Sequence, residues 1–123
     1  MALYNKLNIG KMDKFTKLTD DEGLYKKILR EGTGNYPNSK NEVTVKFKGA
    51  LEDERIIEES DNFKFVLSSD EVRKAFNIGI ATMKKGELSI FVIRHDYGYG
   101  KIEYENIPPF STLLYCIELI DFS

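Results

Sequence analysis

Two stretches of this chain alternate apolar with other residues, Val43-Thr-Val-Lys-Phe47 and Phe63-Lys-Phe-Val-Leu67, and a third repeats at helical spacing. Side chains on a strand change face at every step, so Val43, Val45 and Phe47 share one face, as do Phe63, Phe65 and Leu67. Val72, Ala75, Phe76 and Gly79 fall at i, i+3, i+4 and i+7, the stripe of one short amphipathic helix over residues 70–80. Ser68 and Glu71 have capping-box spacing ahead of it. Leu88–Ile93 and Leu113–Phe122 are further strand candidates, the second with Tyr115, Ile117 and Leu119 on one face. Leu24–Arg30 fits helix or strand by periodicity, and its shortness before Gly32-Thr33-Gly34 favours a strand. Several short strands and one helix predict an α+β fold, a twisted antiparallel sheet wrapped around one short α-helix.

A chain of 123 residues suits one such domain without metals or disulfides. Met1 to Glu22 carries scattered apolar residues among lysines, and is expected to be an N-terminal extension lying on a domain of residues 23–123. Lys+Arg 18 against Asp+Glu 20 leaves no cationic surplus for phosphate backbones, so no nucleic-acid partner is expected. No apolar run is long enough to span a bilayer, and Lys6, Asn8, Lys11 and Asp13 interrupt the N-terminus, so neither a membrane partner nor a signal peptide is expected. Cys116 is the only cysteine and has no internal partner, which makes a reducing compartment the expectation: the cytoplasm, with the nucleus as alternative.

Generic catalytic patterns are mostly absent. A lone histidine, His95, excludes a histidine-rich metal site. Its spacing does not exclude a pair with Cys116, but Cys116 lies in an apolar run and is expected to be a small core residue. Glu52, Asp53, Glu54, Glu58, Glu59 and Asp61 lack the spacing of a calcium loop, and the acidic stretch is expected to be a solvated loop. Gly32-Thr-Gly34 and Gly98-Tyr99-Gly100 do not continue into a phosphate-binding glycine pattern. Tyrosines do gather on a glycine-bearing segment, Asp96-Tyr-Gly-Tyr-Gly100, followed by Ile107-Pro-Pro109.

The order of these segments carries more than any one of them. Val43–Asp53, Phe63-Lys-Phe-Val-Leu67, Val72 with Phe76, Lys85-Gly86-Glu87, Asp96-Tyr-Gly-Tyr-Gly100, Ile107-Pro-Pro109 and Thr112–Leu119 occur in a succession that resembles the FKBP family of immunophilins. The resemblance spans about Gly23 to Ser123 and implies a sheet curled around a short helix, with an aromatic pocket between them. It implies peptidyl-prolyl cis-trans isomerisation, rotation about an X–Pro bond against a barrier of about 18–20 kcal/mol. An apolar, dry cup favours the twisted imide because twisting diminishes its charge separation, so no nucleophile, metal or cofactor is implied.

Carried over by position, the resemblance implies Tyr99, Glu58 and Phe47 as catalytic residues. It implies Phe63, Val72, Arg73, Phe76, Ile57, Ile107 and Tyr115 as substrate-binding residues. Phe63, Val72, Tyr99 and Ile107 match the family pattern. Phe47 stands where the family has Tyr, removing a hydroxyl that orients the neighbouring carboxylate, and Glu58 stands for Asp. Ile57 replaces a wall ring, Phe76 the Trp of the pocket floor, and Arg73 an Ile, which brings a cation beside the entrance. Tyr115 for Phe is a mild change on this view, and the chain is short between Ser60 and Phe63, where the family has a bulged edge segment.

This pattern resembles the degenerate second domains of TPR-containing co-chaperone immunophilins. It implies weak or absent isomerase activity, weak or absent macrolide binding, and an interaction role toward proline-containing segments. Chaperone machinery is the implied partner of a parent protein. An active, macrolide-binding isomerase that assists folding is the alternative.

Overall fold

The computed structural model describes residues 15–70, 72–101 and 103–123. The first strands are β1 (Thr16–Lys17), β2 (Leu24–Arg30), β3 (Glu42–Leu51) and β4 (Ile56–Val66). Helix α1 (Lys74–Ile80) follows, then β5 (Leu88–Ile93), a 3-10 turn at His95–Tyr97, and β6 (Leu113–Phe122). The strands form one antiparallel six-stranded sheet in the order β1-β2-β5-β6-β3-β4. The expected fold class is the one found: among the described residues, an antiparallel sheet with one α-helix packed on its concave face.

Leu24–Arg30 is a strand, paired to β5 with a register shift between Ile28 and Arg30, and β5 and β6 have the expected bounds. Two local expectations need correction. Helix α1 begins at Lys74, with Arg73 as its N-cap and no side-chain cap, so Ser68 lies too far upstream to cap it. Instead the Ser68 N–H donates to Asn77 Oδ1 at 2.8 Å, fastening the preceding turn to the helix. The acidic stretch, expected as a loop, enters β4 at Ile56, so Glu58 and Glu59 lie on a strand. A strand at a sheet edge with its outward residues in water does not need the apolar content of a core strand.

Register decides which side chains meet. Gly49 pairs with Glu58 on one side and Tyr115 on the other, and Phe47 pairs with Ser60 and Ile117. Between Ser60 and Phe63 the β3–β4 register shifts by one residue. A one-residue shift is what keeps Glu58 and Ser60 on the same face as Phe63 despite their odd separation. The edge is therefore bulged here although the chain is short between Ser60 and Phe63.

The concave face and α1 enclose the main core, including Leu24, Val45, Ile80, Met83, Phe91 and Leu119. A Cβ on Gly79 would lie 2.8 Å from the Phe91 ring, so this glycine lets α1 approach β5 closely. A second cluster sits on the convex face, where Phe15 covers Ile90 and Leu114 beside Tyr25 and Val92. Cys116, expected in the core, is half-buried and belongs to neither cluster. Its neighbours in register, Lys48 and Ile90, flank it across the sheet.

Candidate functional site

Five rings pack together where the concave face meets the start of α1: Phe47, Phe63, Phe65, Phe76 and Tyr115. Phe76 meets Phe47 at 5.3 Å and Tyr115 at 5.5 Å between centroids, both edge-to-face. Phe47 stacks on Tyr115 at 5.8 Å. Ring edges set against ring faces are favoured by their quadrupoles, so the group forms a stiff apolar base. Phe65 was not among the expected site residues, although it shares the alternating face of Phe63.

Above this base lies a cavity of about 250 Å³ lined by Phe47, Glu58, Glu59, Ser60, Phe63, Val72, Arg73 and Phe76. The cavity thus gathers six of the ten expected residues. Ile57 is half-buried against the core, and Ile107 is buried within it, bridged to Tyr104. Tyr115 and Tyr99 do not line the cavity: Tyr115 belongs to the base beneath it, and Tyr99 meets it through Arg73.

Arg73 lines the cavity with 30% of its side chain exposed, and it is not free there. Its guanidinium turns inward, and Nη2 donates to Glu58 Oε1 and to the Tyr115 hydroxyl, the latter at 3.3 Å. Its Cζ lies 4.2 Å from the centre of the Tyr99 ring and 5.8 Å from that of Phe76. A cation over a ring face is attracted by the π electrons, so Tyr99 and Glu58 hold the same group from different sides. Burial opposes the charge on Arg73, but Tyr115, Glu58 and Tyr99 outweigh it and raise its pKa, keeping it cationic.

Tyr115 has a larger part than its mild appearance in the sequence. Its hydroxyl donates to Glu58 Oε1, so the hydroxyl absent from Phe47 is supplied from the next strand but one. Gly49 makes this possible. A Cβ there would lie 2.3 Å from Tyr115 Cζ, so the bare backbone of β3 is what lets the ring cross it to reach β4. Burial, with the bond to Glu58 next, pushes the Tyr115 phenol far up, and burial also raises Tyr99 against the opposing effect of Arg73. Both phenols are therefore protonated at neutral pH and able to donate.

The tyrosine segment is anchored from the N-terminal side. Tyr97 OH donates to Asp21 Oδ2 at 2.7 Å, and Arg94 Nη2 donates to the same oxygen at 3.0 Å. Arg94 Nε also reaches Asp96 Oδ1 at 2.7 Å. This clamp fixes the 3-10 turn from which the chain runs to Tyr99, whose ring stacks on Tyr104 at 5.2 Å. Among the described residues, no cluster of three or more His, Cys, Asp or Glu side chains could hold a metal ion. No helix among them is long and apolar enough to cross a membrane.

The arrangement matches known proteins in sequence and fold. The human "Peptidyl-prolyl cis-trans isomerase FKBP4" is 40% identical over 108 residues, covering 83% of this chain and 24% of that protein. The human "Inactive peptidyl-prolyl cis-trans isomerase FKBP6" is 32% identical over 127 residues, covering 98% of this chain and 38% of that one. The chain therefore spans well under half the length of either relative. The crystal structure of the three FKBP domains of wheat FKBP73 superposes with a TM-score of 0.83 at 32% identity, covering 89% of this chain and 50% of that one. Residues 34–120 match the family model of the FKBP-type peptidyl-prolyl cis-trans isomerases, and the chain belongs to that family.

Proposed function

We propose that this is a prolyl-segment-binding domain with weak or absent isomerase activity, serving as a protein-interaction module. The observation that carries this reading is the ion pair of Arg73 and Glu58 inside the aromatic cup. Isomerisation is favoured by an apolar enclosure that stabilises the twisted, less charge-separated imide over the planar one. A guanidinium held in that enclosure, where the family pattern has an apolar side chain, favours the planar amide instead. Phe76 at the base and Ile57 at the side also offer less aromatic surface than the family pattern implies, which weakens macrolide binding in the same way. The printed names of the relatives fit either activity, one an isomerase and one inactive.

The roles proposed for individual residues follow from this placement. Phe47, Phe63, Val72, Phe76 and Tyr115 form the apolar cup, Ile57 and Ile107 support its rim, and Tyr99 donates to a bound carbonyl. Glu58 is the carboxylate that would orient the imide. The proposed partners are proline-containing peptide or protein segments, and chaperone machinery where the domain is carried in a longer co-chaperone. The cytoplasm, with the nucleus as alternative, is the proposed location. Residues 1–22 are proposed as an extension to a domain of residues 23–123, with Phe15 fastening its end to the sheet.

A refolding assay on a protein limited by an X–Pro bond tests the reading. The expected result is acceleration far below that of an ordinary family member at equal concentration, and comparable acceleration overturns it. One observation favours the alternative of an active isomerase: the Tyr115 hydroxyl restores a donor to Glu58 that Phe47 cannot provide. On that alternative, Tyr115→Phe slows the acceleration.

A further inference from the structure

The Arg73 guanidinium fills the space between the cavity and the Tyr99 ring. Arg73 stands at the boundary: Glu58, Phe63 and Phe76 line the open cavity, whereas Tyr99 and Ile107 lie outside its lining. At 4.2 Å from the Tyr99 ring centre, the guanidinium is already at van der Waals distance, and no pyrrolidine ring fits between them. We propose that Arg73 closes the Tyr99 side of the prolyl cup and limits its affinity, because a prolyl ring can settle against Tyr99 only after this side chain has left. The proposal rests on the prolyl-binding reading given above and adds the residue that limits it.

Three features make the closure releasable. Arg73 precedes α1 in extended backbone, φ −65° and ψ 157°, so its side chain can turn outward without unwinding the helix. The side chains of Arg73 and Glu58 keep 30% and 33% of their exposure, so water already reaches the pair. Exposed and half-exposed pairs are weakly held compared with buried ones. When Arg73 leaves, Glu58 remains oriented by the Tyr115 hydroxyl, so the vacated cup keeps its form.

The test uses the whole chain and a capped Ala-Leu-Pro-Phe peptide, followed through the NMR signals of Phe63 and Ile107. Arg73→Ala is expected to bind the peptide up to about fivefold more tightly than the unaltered chain, the effect of losing one modest ion pair. Arg73→Lys keeps a charge beside Glu58 without the flat stacking group and is expected to fall between the two. In the unaltered chain the Arg73 Nε–Hε signal is expected to move toward that of free arginine as the peptide saturates the site, a readout that needs no variant to fold. Equal or weaker binding by Arg73→Ala, or an Arg73 signal unmoved at saturation, overturns the proposal. A slow unaltered chain with an equally weak Arg73→Ala overturns the closure alone. Ordinary isomerase activity in the unaltered chain overturns both the closure and the weak-isomerase reading.

Discussion

Two ion pairs stand near opposite ends of α1, and they differ in nearly every respect. Arg73 and Glu58 meet at its start with 30% and 33% side-chain exposure, whereas Lys26 and Glu87 meet near its end at 2.7 Å with 7% and 3%. The buried pair is fully enclosed in hydrogen bonds. Lys26 Nζ donates to Thr82 O at 2.9 Å and Thr82 Oγ1 at 3.0 Å, while Glu87 accepts from Ser89 Oγ and from the Lys84 N–H. It ties β2 and the residue before β5 to Thr82, two residues past the helix. The half-open pair ties a cation to rings that a ligand would use. Burial with complete satisfaction makes a fixed joint, and partial exposure makes a contact that can be exchanged.

The sharpest way to break this comparison is to remove one member of each pair. Glu87→Ala leaves the Lys26 ammonium buried without its carboxylate and is expected to lower stability by about 3–5 kcal/mol. Arg73→Ala is expected to change it by no more than about 1 kcal/mol. Urea melts of the two variants measure the contrast, and equal losses would erase it.

Tyr115→Phe tests the half-open side at finer scale. It removes the hydroxyl that orients Glu58 while keeping the ring, and a loss of about 1 kcal/mol is expected. A melt unchanged within error would show that Arg73 alone positions the carboxylate.

The smallest expected effect lies at Asp21, outside both pairs. Its bond from Thr19 and then that from Tyr97 hold its pKa well below the ordinary carboxylate value of 3.8. A depressed folded pKa contributes stability above the unfolded value and loses it as pH falls through the folded one. Thermal melts between pH 5 and pH 2, a span of about 3 units chosen around that ordinary value, should therefore fall less steeply for Asp21→Asn than for the unaltered chain.

Much of the fold was legible because it rests on local pattern. The alternation at Val43–Phe47 and Phe63–Leu67 and the single stripe at Val72–Gly79 needed only near neighbours. The acidic start of β4 was not legible, since Ile56–Asp61 has its strand character only by pairing with β3. The site divides along the same line. The resemblance implied that Phe47, Phe63 and Phe76 meet, and the strand faces and helix stripe agree with it. The inward course of Arg73 and the reach of Tyr115 could not, because both depend on Glu58, Gly49 and Tyr115 standing abreast on three strands. Gly49 was the available signal: a glycine inside an alternating strand marks a place where something crosses close to the backbone.

The bulge and charges of β4 have a consequence beyond the cup. β4 is one free border of the sheet, and Glu59, Asp61 and Lys64 stand exposed along it. An open strand border invites a second chain to add to the sheet, and a kinked, charged one discourages it. The residues that flank the cup are therefore also of the kind that disfavours strand addition at this border, and they leave the exposed Ile56 and Val66 without a continuous sticky edge.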